Sequence, residues 1–181
     1  MKIFFASDIH GSPACLTMAL DAFTREKAGV LVLLGDLLYH GPRNPLPGDY
    51  DPAKTAAMLN EYREHIVAVR GNCDSEVDQT LLDFPIMADH STILDGTTRL
   101  FLTHGHLFSL DSLPPLPAGS VFVFGHTHVP MAEMRGSVLC ANPGSTTLPK
   151  EMHAAGYGIF EHGVWTSRDL RGNIVARCVL P

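Results

Sequence analysis

Val30-Leu31-Val32-Leu33-Leu34-Gly35-Asp36 is a run of five apolar residues between Gly29 and Gly35, closed by a carboxylate. Five apolar positions without alternation read as a strand buried on both faces. The strand hands Asp36 to its C-terminal end, where open α/β sheets place their ligands. Gly35 lets the chain leave the sheet tightly and is expected to give whatever Asp36 binds a close approach. A lone Gly-Asp pair would be only a turn cap. Here, however, four other apolar strands also end in a residue type that ligates metals.

Upstream, Lys2 to Ser7 is a short apolar strand ending in Asp8-Ile9-His10-Gly11. Ser12-Pro13 opens a helix as N-cap and first helical residue. Leu16, Ala19, Leu20 and Phe23 recur at helical spacing, and Gly29 is expected to stop it. A strand-helix-strand unit implies a right-handed crossover and parallel strands. Downstream, residues 38–52 break the rhythm, because His40-Gly41-Pro42-Arg43-Asn44-Pro45-Leu46-Pro47-Gly48 is full of turn-forming residues. A loop of that length in a compact domain is usually functional or mobile.

Asp51-Pro52 starts a second helix, expected to reach about Glu64. Ile66 to Val69 is a third strand ending at Arg70-Gly71-Asn72-Cys73-Asp74, followed by a short helix from Glu76 to Leu82. After Pro85 strands dominate. Ser91–Leu94 and Arg99–Thr103 flank an Asp95-Gly96 hairpin turn, and the second ends at His104-Gly105-His106. Val121–Phe124 ends at Gly125-His126-Thr127-His128. Ala132–Met134 and Ser137–Ala141 flank Arg135-Gly136, and Gly158–Glu161, Val164–Asp169 and Asn173–Val179 close the chain. Two sheets face to face with helices outside is the α/β architecture that results.

The bulk composition narrows the function. The 181 residues, 45% hydrophobic and 18% charged, suit one domain, 1–181, with a full core. A net charge of −6 without a Lys/Arg run argues against an extended nucleic-acid surface. Cys15, Cys73, Cys140 and Cys178 are scattered with no Cys-x-x-Cys pair, as in a reducing compartment. The apolar run before Asp8 is too short for a signal peptide, and nothing approaches a membrane span. A cytoplasmic protein is therefore expected. Its oligomeric state is open, a homo-oligomer included.

Five strand ends thus carry Asp8 and His10, Asp36, Asn72, His104, and His126 with His128. If the strands share sheets, these ends converge on one rim. Residues at i and i+2 of an extended segment point the same way, so Asp8 with His10 and His126 with His128 are each expected to face one site. Seven O/N ligands are too many for one ion that keeps an open position, and suit two ions sharing a carboxylate. A set without thiolate fits Mn, Fe or catalytic Zn better than structural zinc. Two ions roughly 3.5–4 Å apart can activate a bridging hydroxide and clamp a phosphoryl group. A single strand-end His or Asn would mean little; five such ends together do not arise from turn chemistry alone.

The set Asp8-Ile9-His10, Gly35-Asp36, Gly71-Asn72-x-Asp74, Thr103-His104-Gly105-His106 and Gly125-His126-Thr127-His128 resembles the calcineurin-like metallophosphoesterase superfamily, over nearly the whole chain and in the family's order. The short length, Arg70-Gly71-Asn72-Cys73-Asp74 and Gly41-Pro42-Arg43-Asn44 look most like its small bacterial YfcE-type phosphodiesterases. The resemblance implies a four-layer α-β-β-α sandwich and metal-dependent phosphoester hydrolysis, typically with manganese; Fe, Zn, Ni and Co suit the same ligands. It also implies a ligand allocation: Asp8, His10 and His128 on one ion, Asn72, His104 and His126 on the other, Asp36 bridging.

One position departs from many members of the family. Where they carry His after the motif Asn, to help the leaving group, this chain has Cys73. A thiol is a weak donor, and a thiolate would repel an anionic phosphoryl oxygen. Weak monoesterase activity and a preference for diesters with a good leaving group are expected, with Asp36, Asn72, Cys73 and His104 the catalytic candidates. Cys73 is equally compatible with a small apolar filler. Arg43 suits phosphate by its forked donors and, with His40, could reach over the metals; His106 lies two residues past His104. Asn142-Pro143-Gly144-Ser145 is a plain turn or a support that orients ligands. A small phosphodiester is the expected partner. The alternative is a metal-binding protein-interaction scaffold of the same fold, as in a retromer subunit, where altered ligand positions would be expected. A repair nuclease would need extra domains and a basic surface.

Overall fold

In the computed structural model, which describes Met1–Pro181, eleven strands form two sheets. The chain runs through β1 (Ile3–Ala6), α1 (Pro13–Glu26), β2 (Val30–Leu33), α2 (Pro52–Asn60), β3 (Ile66–Ala68) and α3 (Glu76–Gln79). It continues through β4 (His90–Asp95), β5 (Thr98–Thr103), β6 (Val121–Val123), β7 (Met131–Arg135) and β8 (Val138–Asn142). The last elements are β9 (Gly156–Glu161), β10 (Val164–Asp169) and β11 (Ile174–Val179).

The first sheet has the order β11-β10-β9-β1-β2-β3, and the second β4-β5-β6-β8-β7. Strands β1, β2 and β3 are mutually parallel, as are β5, β6 and β8; β9, β10 and β11 in the first sheet and β4 and β7 in the second pair antiparallel. The calcineurin-like sandwich expected from the sequence is therefore the fold. No helix is long and apolar enough to cross a membrane.

Two buried faces explain the unbroken apolar runs. Ile3 and Phe5 of β1 and Val32 of β2 pack between the sheets with Val121, Val123 and Trp165. Phe4, Ala6, Leu31 and Leu33 face the other way, onto Leu16, Leu20 and Phe23 of α1. On the outer face of the second sheet, Phe101 and Phe122 are covered by Phe108, Leu110, Leu113 and Leu116 from the irregular segment between β5 and β6.

Three helix ends differ from those expected, while the strands shift by two residues at most. Helix α1 ends at Lys27, whose left-handed φ of 54° lets its N–H reach Phe23 and Thr24, so Gly29 lies two residues past the stop. Helix α2 ends at Asn60, not Glu64, because the Asn60 amide binds Leu81 O and Asp83 N–H at 2.9 and 2.8 Å, and a 3-10 turn at Arg63–His65 leads into β3. Helix α3 stops at Gln79 because that side chain holds the following turn, donating to Phe84 O at 2.9 Å and accepting from Ile86 N–H at 2.8 Å.

Candidate metal centre

The C-terminal ends of β1, β2, β3, β5 and β6 open onto one rim shared by the two sheets. The backbone there is not extended. Asp8, His10, Asp36, His126 and His128 have φ of 55°, 50°, 56°, 64° and 63°. The i, i+2 alternation expected for Asp8/His10 and His126/His128 is therefore corrected: the strands end earlier, and left-handed turns aim these side chains. Left-handed non-glycine residues cost of order 1–3 kcal/mol each and persist where their surroundings over-determine them. Here Asp8 N–H donates to Gly35 O at 3.1 Å, His10 N–H to Asp36 O at 3.0 Å and Gly125 N–H to His104 O at 2.8 Å. The close approach at Gly35 is likewise to the neighbouring motif: a Cβ there would strike the backbone of Gly71, and one on Gly71 would strike Asp36.

All seven sequence candidates come together. Asp8 Oδ1 lies 3.2 Å from His128 Nε2 and 3.9 Å from His10 Nε2. Asp36 Oδ2 lies 3.8 Å from His10 Nε2 and 3.5 Å from His104 Nε2. His104 Nε2 is in turn 3.1 Å from Asn72 Oδ1 and 3.2 Å from His126 Nδ1. The ligand atoms of Asp8, His10 and His128 lie within 4.8 Å of one another, as do those of Asp8, Asp36 and His104. Asp8 is common to both groups, and Asp36 Oδ2 faces His10 of the first as well as His104 of its own.

Backbone carbonyls fix the tautomers. The Nδ1 atoms of His10, His104 and His128 lie 2.8, 2.7 and 2.6 Å from the carbonyls of Tyr39, Leu34 and Leu148. An Nδ1–H donated there leaves an Nε2 lone pair for the centre, the usual orientation of a metal-ligating histidine. His126 instead turns Nδ1 inward. Asp8 Oδ1 and His10 Nε2 are buried without any hydrogen-bond partner. Buried polar atoms are costly unless paired, so this carboxylate-imidazole-carboxamide set fits divalent cations.

Burial opposes ionisation of Asp8, yet the adjacent imidazoles of His128 and His104 hold the carboxyl below its ordinary value. Asp36 is likewise held well down, against burial, chiefly by its hydrogen bond to His104. Burial disfavours the His104 imidazolium, but the Asp36 hydrogen bond and the Asp8 and Asp36 charges push its pKa up to about 9. Burial lowers His10 and His126, leaving both neutral donors. The half-buried Cys73 thiol is pushed far up, first by burial and then by the Asp36 charge, so it stays protonated.

The supports were only partly visible in the sequence. The buried Asp74 carboxylate accepts the backbone N–H groups of Asp36, Leu37 and Gly71 at 2.8, 2.8 and 2.7 Å, clasping the β2 and β3 turns together. Asn142 and Ser145 prove to be supports rather than a bare turn. Asn142 Nδ2 donates to Gly125 O at 2.8 Å, and Ser145 Oγ to Asp8 O at 2.8 Å.

A cleft of about 1140 Å³ opens over the centre, and both Arg43 and Cys73 line it. Lys150 lines it too, a residue for which spacing offered no signal. His40 does not reach the ligands; its ring packs 4.7 Å from Tyr39 and 5.3 Å from Tyr50. His106 stands edge-on to His104 at 5.4 Å.

Two mixed sheets whose parallel strands deliver Asp, Asn and His to one rim define a metallophosphoesterase. Residues 1–163 match the calcineurin-like phosphoesterase superfamily domain, and the chain belongs to that family. It is a phosphoesterase, a hydrolase of phosphate esters, in a family that implies divalent metal ions. It is 53% identical to phosphodiesterase YfcE of Escherichia coli K12 over 164 residues, 91% of this chain and 89% of that protein. The solved structure of that E. coli phosphoesterase superposes with a TM-score of 0.98 over 100% of both chains, at 49% identity. Vacuolar protein sorting 29 from Cryptosporidium parvum shares the fold alone, with a TM-score of 0.64 and 15% identity over 98% of this chain and 97% of its own.

Proposed function

We propose that the protein is a phosphodiesterase working with two divalent ions, preferentially manganese, on a small phosphodiester in the cytoplasm. The observation that carries this reading is the pair of ligand groups that meet at Asp8, with Asp36 Oδ2 facing both His10 and His104, and with Asp8 Oδ1 and His10 Nε2 buried and unpaired. Asp8, His10 and His128 would hold one ion, Asn72, His104 and His126 the other, and Asp36 both. When bound, such ions supply a hydroxide nucleophile at neutral pH and Lewis-acid stabilisation of the phosphoryl oxygens.

The chain's own residues do the rest. Carbonyl-anchored imidazoles keep their lone pairs inward without reorganisation. Arg43 and Lys150, in the cleft wall, attract the anionic diester. Cys73 presents a neutral thiol where an imidazolium could protonate a leaving group. That favours diesters with a good leaving group over monoesters. The free thiols of Cys15, Cys73, Cys140 and Cys178 suit a reducing compartment.

The test adds Mn to metal-stripped protein and compares an activated aryl diester, the matching monoester and cyclic nucleotides. Turnover is expected chiefly with the diester. Silence across the panel by metal-loaded protein, with Asp36→Asn equally silent, would favour the scaffold reading instead.

A further inference from the structure

Exposed apolar side chains gathered in one place mark a binding surface. Three of them line the cleft above the metal centre: Tyr39, Val77 and Leu81, 40%, 71% and 45% exposed. Both walls are fixed to the centre. The Tyr39 carbonyl is the anchor of His10, 2.8 Å from its Nδ1, so the tyrosine ring is rooted directly beside a ligand. Its ring is backed by His40, which is backed in turn by Tyr50. On the other wall, Ser75, three residues past Asn72, donates N–H and Oγ to Asp78 Oδ2 at 2.8 and 2.7 Å, a capping box that locks the start of α3. Val77 lies in α3 and Leu81 in the turn that follows it, where Leu81 N–H donates to Asp78 O at 3.0 Å.

We infer that these three side chains form the subsite for one esterifying group of the diester, and that the group is a flat ring, aryl or nucleobase, stacked on Tyr39 and covered by Val77 and Leu81. This rests on the phosphodiesterase reading. A backed aromatic face and two branched aliphatic side chains lining one cleft suit a planar ring, which meets the face over its whole area, better than a bulky saturated group. Asp78, the α3 carboxylate that lines the cleft, is occupied by its cap, so a polyol arm would not find it free. Ring-on-ring contact adds to simple area burial.

Two phosphinate anions, benzyl(methyl)phosphinate and (cyclohexylmethyl)(methyl)phosphinate, test this on the manganese-loaded protein by calorimetry. In each a methylene replaces the ester oxygen, so the diester shape and charge are kept with no P–O–C bond to hydrolyse, and binding is read apart from turnover. The phenyl ligand is expected to bind about three- to tenfold tighter. Tyr39→Leu, which keeps apolar area but removes the face, should erase that preference while retaining bound manganese and the cyclohexyl affinity. Val77→Ser should weaken the phenyl ligand several-fold. Equal affinities in the parent protein, a preference that survives Tyr39→Leu, or binding of neither ligand would overturn the subsite. A protein that prefers the phenyl ligand but hydrolyses no diester would support the subsite and sink the phosphodiesterase reading. A diesterase indifferent to the two ligands would do the reverse.

Discussion

Asp36 is held from three sides: its N–H by Asp74, its Oδ1 by Cys73 N–H at 2.8 Å, and its Oδ2 facing His10 and His104. Asp36→Asn keeps that shape but removes the shared charge. It should weaken both metals and abolish turnover while near-UV circular dichroism stays native; metal analysis finding two ions at full rate would defeat the bridging role. Cys73→His would put an imidazole in the cleft, and the monoester-to-diester activity ratio should rise; an unmoved ratio removes Cys73 as a selectivity element. His104 sets a pH dependence. With its pKa raised to about 9, metal-free protein carries a proton there that a metal must displace. Apparent metal affinity should climb about tenfold per pH unit below about pH 9 and level off above it, with proton release visible to an indicator dye. In metal-free protein the same shift adds stability that is whole below the ordinary imidazole range and lost as pH rises through about 9.

At the scale of elements, β2 separates stability from function. Leu33 packs on α1 and is fully buried, so Leu33→Ala should cost about 2–5 kcal/mol in denaturant unfolding and leave the ligand set complete. A loss of metal stoichiometry without loss of stability would contradict that division. Strands such as β1, β2 and β6 were legible because burial on both faces removes alternation, and because their last residues are of ligand type. The left-handed turns after them were not, since their conformation is fixed by partners far along the chain rather than by local propensity. Asp74 could be read as part of a motif, but its role depends on Asp36 and Leu37 folding against it. The cover of the second sheet was equally hidden: Phe108, Leu110, Leu113 and Leu116 follow no helix or strand period.

For the whole molecule, the centre is a joint between sheets. Asp8, Asp36 and Asn72 come from the first, and His104, His126 and His128 from the second. A metal that binds the folded state alone adds about 2.7 kcal/mol at a hundred times its Kd, so chelation should lower the thermal midpoint and manganese restore it. Calorimetry with no shift on chelation would mean that the ions do not couple the sheets. The central place of β1 has one further consequence. Its two neighbours are β2 and β9, and the loop after it is braced by Ser145 and Thr147 from far along the sequence. A chain emerging from the ribosome therefore shows one open edge of β1, and an unbraced loop of ligands after it, until residues 145–161 are made.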